Sequence, residues 1–232
     1  MPNIGIARLQ VRQRQDRSVV TQQFGKAPLQ VHRPLYLDDS GQPTVYLKTP
    51  SAGLLAGDEH EIAVHVEENA SLKLCTQACT LVYPGKSKQT VDIRIDNGGT
   101  FIFQPHALIL AKDADFSQTI NITLAQKCNL LFSDYWCAGR IAMNEQWQFK
   151  CFKNTITMRA AGKLIYREHW SLDPKNAGVE HPVLCNHYTH FQNTYSSGTL
   201  KRNRTDINEP GMRLWNLNRD DYNICRVSIQ RL

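Results

Sequence analysis

Glu61-Ile62-Ala63-Val64-His65-Val66-Glu67 carries a large aliphatic at every second position. Ile62, Val64 and Val66 therefore share one side of an extended chain, because successive side chains of a strand point to opposite faces. After the break Glu68-Asn69-Ala70, the alternation returns in Ser71-Leu72-Lys73-Leu74-Cys75-Thr76. Val91-Asp92-Ile93-Arg94-Ile95-Asp96 is a third run, closed by Asn97-Gly98-Gly99, after which Thr100 to Gln104 restarts as strand. Ser117-Gln118-Thr119-Ile120-Asn121-Ile122-Thr123-Leu124 is a fourth. One apolar and one polar face per segment means half-buried strands. Turn residues at a spacing of roughly 10–12 favour a sandwich, barrel or stacked-sheet protein.

Between Ile4 and Leu172, about a dozen segments read as strand and none as a long amphipathic helix. Asp134 to Phe149 has no clean period. After Asp173-Pro174 the composition shifts to Asn, His, Thr and Ser, and hydrophobic periodicity weakens. The expected organisation is one domain over residues 1–232: a β body at 1–172 and an irregular or short-helix C-terminal extension at 173–232. No internal repeat and no low-complexity segment is evident.

Of the 232 residues, 41% are hydrophobic and 21% charged, which suits a globular chain with a substantial core. The net charge of +6 is dispersed, and the densest basic cluster is only Lys201-Arg202-Asn203-Arg204. A nucleic-acid binder more often carries a basic stripe interleaved with aromatics, so no nucleic-acid partner is expected. No apolar run approaches a membrane span, and the N-terminus lacks a basic head followed by an apolar stretch. The expected compartment is the cytoplasm. The seven cysteines are odd in number and include no Cys-x-x-Cys, so neither a disulfide framework nor a zinc ribbon is signalled.

Several constellations bear on chemistry. Pro84-Gly85-Lys86-Ser87 resembles the end of a phosphate loop, but Thr80 stands where a Walker A glycine belongs; a hairpin turn with a surface lysine is the plainer reading. Cys75 and Cys79, four apart on an extended chain, would sit about 13 Å from each other, too far to share a metal. Both read as packing residues. His181, Cys185, His187 and His190 form the densest group of soft ligands, and they support an alternative as a β-rich metal-dependent enzyme or small-molecule-binding domain. Their spacing matches no familiar zinc pattern. No Gly-x-Ser-x-Gly and no His-Glu-x-x-His occurs. Asp134 follows Leu130-Leu131-Phe132, and Glu168 follows Leu164-Ile165-Tyr166; carboxylates so placed are usually satisfied structural groups.

Six segments, in order, resemble the urease accessory protein family UreD, also called UreH. They are Val31-His32-Arg33-Pro34-Leu35-Tyr36; Tyr46 through Asp58, with Ala52 and Ala56 in place of two glycines; Cys75 through Tyr83; Gln104 through Leu110; Leu130 through Arg140 with Glu145 and Phe149; and Gly162 through Glu168. The resemblance covers roughly residues 1–172. It implies a mainly β fold of stacked, β-helix-like sheets with a few short α-helices toward the C-terminus. It also implies a non-enzymatic scaffold that binds apo-urease and links it to UreF and, through UreF, to UreG. A dimer of the accessory complex is compatible with it. No tightly bound cofactor is implied, only Ni²⁺ in transit. The family's candidate passage residues correspond to Asp58, Thr80, Asp134 and Glu168. The alternative is that Asp58 caps a turn after Gly57 and that the other three are structural.

Overall fold

The computed structural model describes residues 3–51, 53–176 and 188–198 in full, and residues 212–219 and 222–229 in their backbone. In chain order the strands are β1 (Asn3–Arg14), β2 (Arg17–Lys26), β3 (Gln30–Val31), β4 (Leu35–Tyr36), β5 (Pro43–Lys48), β6 (Gly53–Leu54) and β7 (Asp58–Val66). They continue as β8 (Ser71–Thr76), β9 (Thr80–Val82), β10 (Gly85–Ile95), β11 (Thr100–Gln104), β12 (Leu108–Leu110) and β13 (Ala114–Leu124). The last are β14 (Asn129–Cys137), β15 (Cys151–Ala160), β16 (Lys163–Leu172), β17 (His190–Ser197), β18 (Met212–Arg219) and β19 (Tyr222–Ile229). All four alternating runs are strands, and the fold is mainly β.

Two sheets divide these strands. The first has seven, in the order β16-β15-β13-β10-β7-β1-β2, and its five inner strands run parallel. The second has the path β18-β19-β17-β14-β11-β8-β5-β3, with β4, β6, β9 and β12 attached beside it. Its segment β5-β8-β11-β14 is also parallel. Parallel neighbours need a long crossover, most often a helix. Here the crossover out of one sheet is a strand of the other, so the chain winds as a solenoid.

The register gives the period of the winding. Thr44 pairs with Lys73, Ser71 with Thr100, and Thr100 with Asn129, each 29 residues on. In the first sheet Glu59 pairs with Lys88 and Gly85 with Ala114, again 29 apart. The last coil is longer: Asp115 pairs with Cys151, 36 residues on, and the 3-10 turn Ile141–Met143 lies within it. A structural repeat therefore exists where no sequence repeat was evident, since the coils share strand alternation and little else.

Other expectations need correction. That 3-10 turn is the one helical element among the described residues, and where short helices were expected toward the C-terminus the described residues are strands: β17 pairs with β14, and β19 pairs with β17. Pro84-Gly85-Lys86-Ser87 is not a hairpin but the corner where the chain leaves β9 in one sheet and enters β10 in the other, and Lys86 is exposed. Cys75 is half-buried, whereas Cys79 is exposed rather than a buried packing residue. Among the described residues no helix is long and apolar enough to cross a membrane.

Inward-facing side chains of the two sheets form two apolar clusters. The larger joins Ile62, Val91, Ile120 and Ile156 of the first sheet to Leu74, Phe103, Phe132 and Tyr195 of the second. The smaller gathers Phe116 and Phe152 around Trp136 and Phe191, whose rings stack at 4.1 Å. Ile120, 2% exposed, is a central rung of the larger cluster. Ile120→Ala is expected to lower unfolding free energy by about 2–5 kcal/mol, while Thr123→Ala on the exposed face of the same strand changes it by less than about 0.5 kcal/mol. Urea denaturation measures both.

Candidate functional site

A row of polar residues runs between the two apolar clusters. In the first sheet Gly5 pairs with His60, His60 with Gln89, Gln89 with Gln118, Gln118 with Asn154, and Asn154 with Trp170. Parallel in-register pairing places these residues side by side on one face. One step along is the apolar row Ala7, Ile62, Val91, Ile120 and Ile156, which ends on Glu168. One step the other way lie Ser87, Phe116, Phe152 and Leu172. From the second sheet, Asp134 of β14 pairs with Asn193 of β17 between Phe132 and Trp136 on the same inward face. His60, Gln118, Asn154, Asp134 and Asn193 are all buried. Together they form a polar seam between the two apolar clusters.

Asp134 spans the seam. Its Oδ1 accepts a hydrogen bond from Gln118 Nε2 at 3.0 Å, and its Oδ2 accepts one from Asn154 Nδ2 at 2.7 Å. Gln118 Nε2 also donates to Asn154 Oδ1 at 3.2 Å, and Gln118 Oε1 accepts from Gln89 Nε2 at 3.0 Å. A buried carboxylate is tolerable only when donors replace water, and these two amides supply them. Glu168 is held likewise by three donors: Trp170 Nε1 at 2.7 Å, the Tyr195 hydroxyl at 2.8 Å and the Tyr166 hydroxyl at 3.0 Å. Burial pushes the Tyr195 phenol well above its ordinary range, with Tyr166 and the Asp134 charge adding to the shift. Tyr195 therefore remains a donor to Glu168.

Asp58 begins β7 at the far end of the seam. Gly57 before it has φ +87°, and Asp58 Oδ2 accepts the Leu55 N–H at 2.9 Å, closing a turn. Asp58 thus does cap a turn, and its side chain is also buried, 3% exposed, on the inward face beside His60. The preceding motif glycine, Gly53, is required by close approach: a Cβ there would lie 1.8 Å from the Leu81 carbonyl oxygen of the paired β9. Thr80 opens β9, half-buried on the same face as buried Val82, and pairs with Leu108 in the row that includes Trp136. Tyr195 donates to Glu168 and feels the Asp134 charge, and Asp58 is joined to Asp134 by the row His60-Gln89-Gln118. Thr80 lies one row away on the second sheet, with no hydrogen bond to the seam observed among the described residues.

His60 is 2% exposed, and its Nε2 has no hydrogen-bond partner. Burial lowers its pKa to about 4, against the raising effects of the Asp58 charge and Gln89. The imidazole is therefore neutral at neutral pH. Among the described residues no three His, Cys, Asp or Glu side chains converge as a metal cluster. Of the His181, Cys185, His187 and His190 group, only His190 falls within the described residues. Its Nε2 is 3.4 Å from Cys137 Sγ and its Nδ1 3.0 Å from Thr189 Oγ1.

The sequence reading missed His60, Gln89, Gln118 and Asn154. Their signal was present: each stands two residues before the inward aliphatic of its strand, namely Ile62, Val91, Ile120 and Ile156. Period two puts each pair on one face, so each strand announces a polar position at the same height.

Fold and seam together define a β-solenoid scaffold with isolated interior carboxylates. The chain belongs to the UreD urease accessory protein family, whose model matches residues 4–227 and so reaches well beyond the 1–172 over which the resemblance was traced. It is similar to urease accessory protein UreD 2 of Synechococcus sp. (strain JA-3-3Ab), 34% identical over 160 residues, covering 65% of this chain and 58% of that protein. It is similar to UreD of Bacillus cereus, 25% identical over 190 residues, covering 81% and 70%. It is also similar to UreH of Helicobacter hepaticus, 25% identical over 177 residues, covering 75% and 69%. The chain spans 58% and 56% of the lengths of two Synechococcus relatives.

Two outcomes are expected of the seam. Asn154→Leu removes a donor from the Asp134 carboxylate and is expected to cost about 1–3 kcal/mol of stability at pH 7. The double change Asn154→Leu with Asp134→Leu is expected to recover part of that loss in urea denaturation. His60 sets a pH dependence. Its folded pKa of about 4 lies below the ordinary 6.5, so the unfolded chain binds more protons between those values. The His60 contribution is intact above pH 6.5 and falls by up to about 3 kcal/mol as pH drops toward 4. His60→Leu is expected to flatten that part of the stability-versus-pH curve.

Proposed function

We propose that this chain is a non-catalytic scaffold of urease maturation, which binds apo-urease, links it to UreF and through UreF to UreG, and lets Ni²⁺ pass along its interior seam. The reading places it in the cytoplasm. The family membership and the names of its relatives support a role in urease maturation. The observation that carries the passage is Asp134: a buried carboxylate held across the sheets by two amides, with Glu168, held by Tyr195, on the next row.

The chemistry of transit favours such a layout. Ni²⁺ takes N, O and S ligands, and a full protein ligand set holds it tightly. A route that must release its cargo needs stations of one carboxylate each, completed by amide oxygens, hydroxyls and water. Asp58, Thr80, Asp134 and Glu168 are three acids and one hydroxyl on the inward faces of the two sheets, and no two of the acids pair with each other in the strand registers. The Gln89, Gln118 and Asn154 side chains offer amide oxygens between Asp58 and Asp134. Neighbouring strands lie about 4.8 Å apart, so the row from His60 to Asn154 spans roughly 14 Å. Nickel is cargo in this account, and no cofactor stays bound.

Cells that make urease, UreF and UreG together with Asp134→Asn or Glu168→Gln variants of this chain test the reading. The isosteric changes keep the shapes and remove the charges. Copurification with apo-urease and UreF is expected to persist, while urease nickel content and activity fall at least about tenfold. Normal nickel content with both variants combined would reject the passage, and full urease activity in cells lacking the chain would reject the maturation role.

A further inference from the structure

We infer that Asp58, His60 and Ser87 form a halting site for a divalent transition-metal ion at one end of the seam, an inference that rests on the passage reading. Asp58 and His60 are two residues apart on the inward face of β7, which sets their Cα atoms about 6.6 Å apart. Ser87 precedes Lys88, the partner of Glu59, so the parallel register sets it beside Asp58 on the adjacent strand. Asp58 uses Oδ2 to accept the Leu55 N–H, which leaves Oδ1 for another partner. His60 and Ser87 are 2% and 8% exposed, and His60 Nε2 and Ser87 Oγ are buried polar atoms without hydrogen-bond partners.

Two orphaned polar atoms beside one carboxylate are costly if they do nothing. Each unpartnered buried group disfavours the folded state by about 1–3 kcal/mol, and a leucine at position 60 would carry no such penalty. The backbone also makes room for the ring. Gly5 is its in-register neighbour, and a Cβ there would come within 3.2 Å of His60 Cδ2 and 2.9 Å of Pro28 Cδ. An imidazole nitrogen, a carboxylate oxygen and a hydroxyl form an N/O/O donor set suited to Ni²⁺ and its first-row neighbours. With only two strong donors, water completes the coordination, so the ion is held but not locked. Gln89 is paired with His60, so an ion leaving this site meets the first amide of the seam next.

The test titrates the full chain with Ni²⁺ alone and follows paramagnetic broadening of the Gln89 side-chain amide by NMR. In the wild-type chain this signal is expected to broaden at lower Ni²⁺ than the Gln118 amide. His60→Leu, which removes the orphan and is expected to fold at least as stably, should raise the required Ni²⁺ about tenfold, and Asp58→Asn should do the same. His60→Gln serves as a second variant that keeps a polar group. Unchanged Gln89 broadening in both His60 variants overturns the site. If Asp134→Asn and Glu168→Gln block urease loading but both His60 variants leave the titration unmoved, the passage stands and this site falls. If those acid variants leave loading intact, the passage falls, and the same titration still decides whether the site binds metal.

Discussion

The seam depends on one interaction, the bridge from Asp134 on the second sheet to Gln118 and Asn154 on the first. Stacked sheets lie about 10 Å apart, too far for an aspartate alone to cross. The longer amide of Gln118 meets it from the opposite face, and Asn154 closes on the second oxygen at 2.7 Å. A buried carboxylate would otherwise be displaced by its desolvation cost. The consequence is a hydrophobic interior split in two, with Phe132 on one side of Asp134 and Trp136 on the other. A row of aliphatics in place of His60, Gln89, Gln118 and Asn154 would contribute about 1.5–3 kcal/mol per side chain. A fold that forgoes that stabilisation along an entire row, beside otherwise regular Ile and Val rows, breaks its own pattern where function is to be sought.

The solenoid makes the row. Because each coil of 29 residues returns to the same height, one polar residue per coil becomes a continuous line. The longer last coil preserves the line: Gln118 still pairs with Asn154, 36 residues on. The extra residues are taken up by the turn around Ile141–Met143 and by an Arg140–Glu145 ion pair outside the seam. Edge strands are capped without breaking the row, as antiparallel β2 and β16 close the first sheet and β16 supplies Glu168 and Trp170 at its end.

The strands were legible in the sequence because alternation is a local signal. Ile62-Val64-Val66 and Ile93-Ile95 name their buried faces without any knowledge of neighbours. The seam was not legible for the same reason: His60 or Gln118 taken alone reads as the polar end of a strand, and only register aligns them. Asp134 and Glu168 entered through family resemblance, whereas burial and partners came from the structure. The C-terminal strands were missed because β17 carries Gln192, Asn193, Ser196 and Ser197, polar residues that break the apolar alternation. Those residues are nonetheless buried there, since β17 is paired on both sides by β14 and β19. Thr80 entered through the same resemblance; it is half-buried on the face of Val82, one row away from the amides.

The central claim is that the interior seam admits nickel. Anomalous diffraction from crystals of the chain soaked in millimolar Ni²⁺, recorded at the nickel edge, tests it most directly. The account predicts anomalous density between the sheets, within coordination distance of the Asp134 or Glu168 carboxylate. Density confined to surface histidines, with the Asp134–Gln118–Asn154 hydrogen bonds undisturbed and the interior empty, would contradict it.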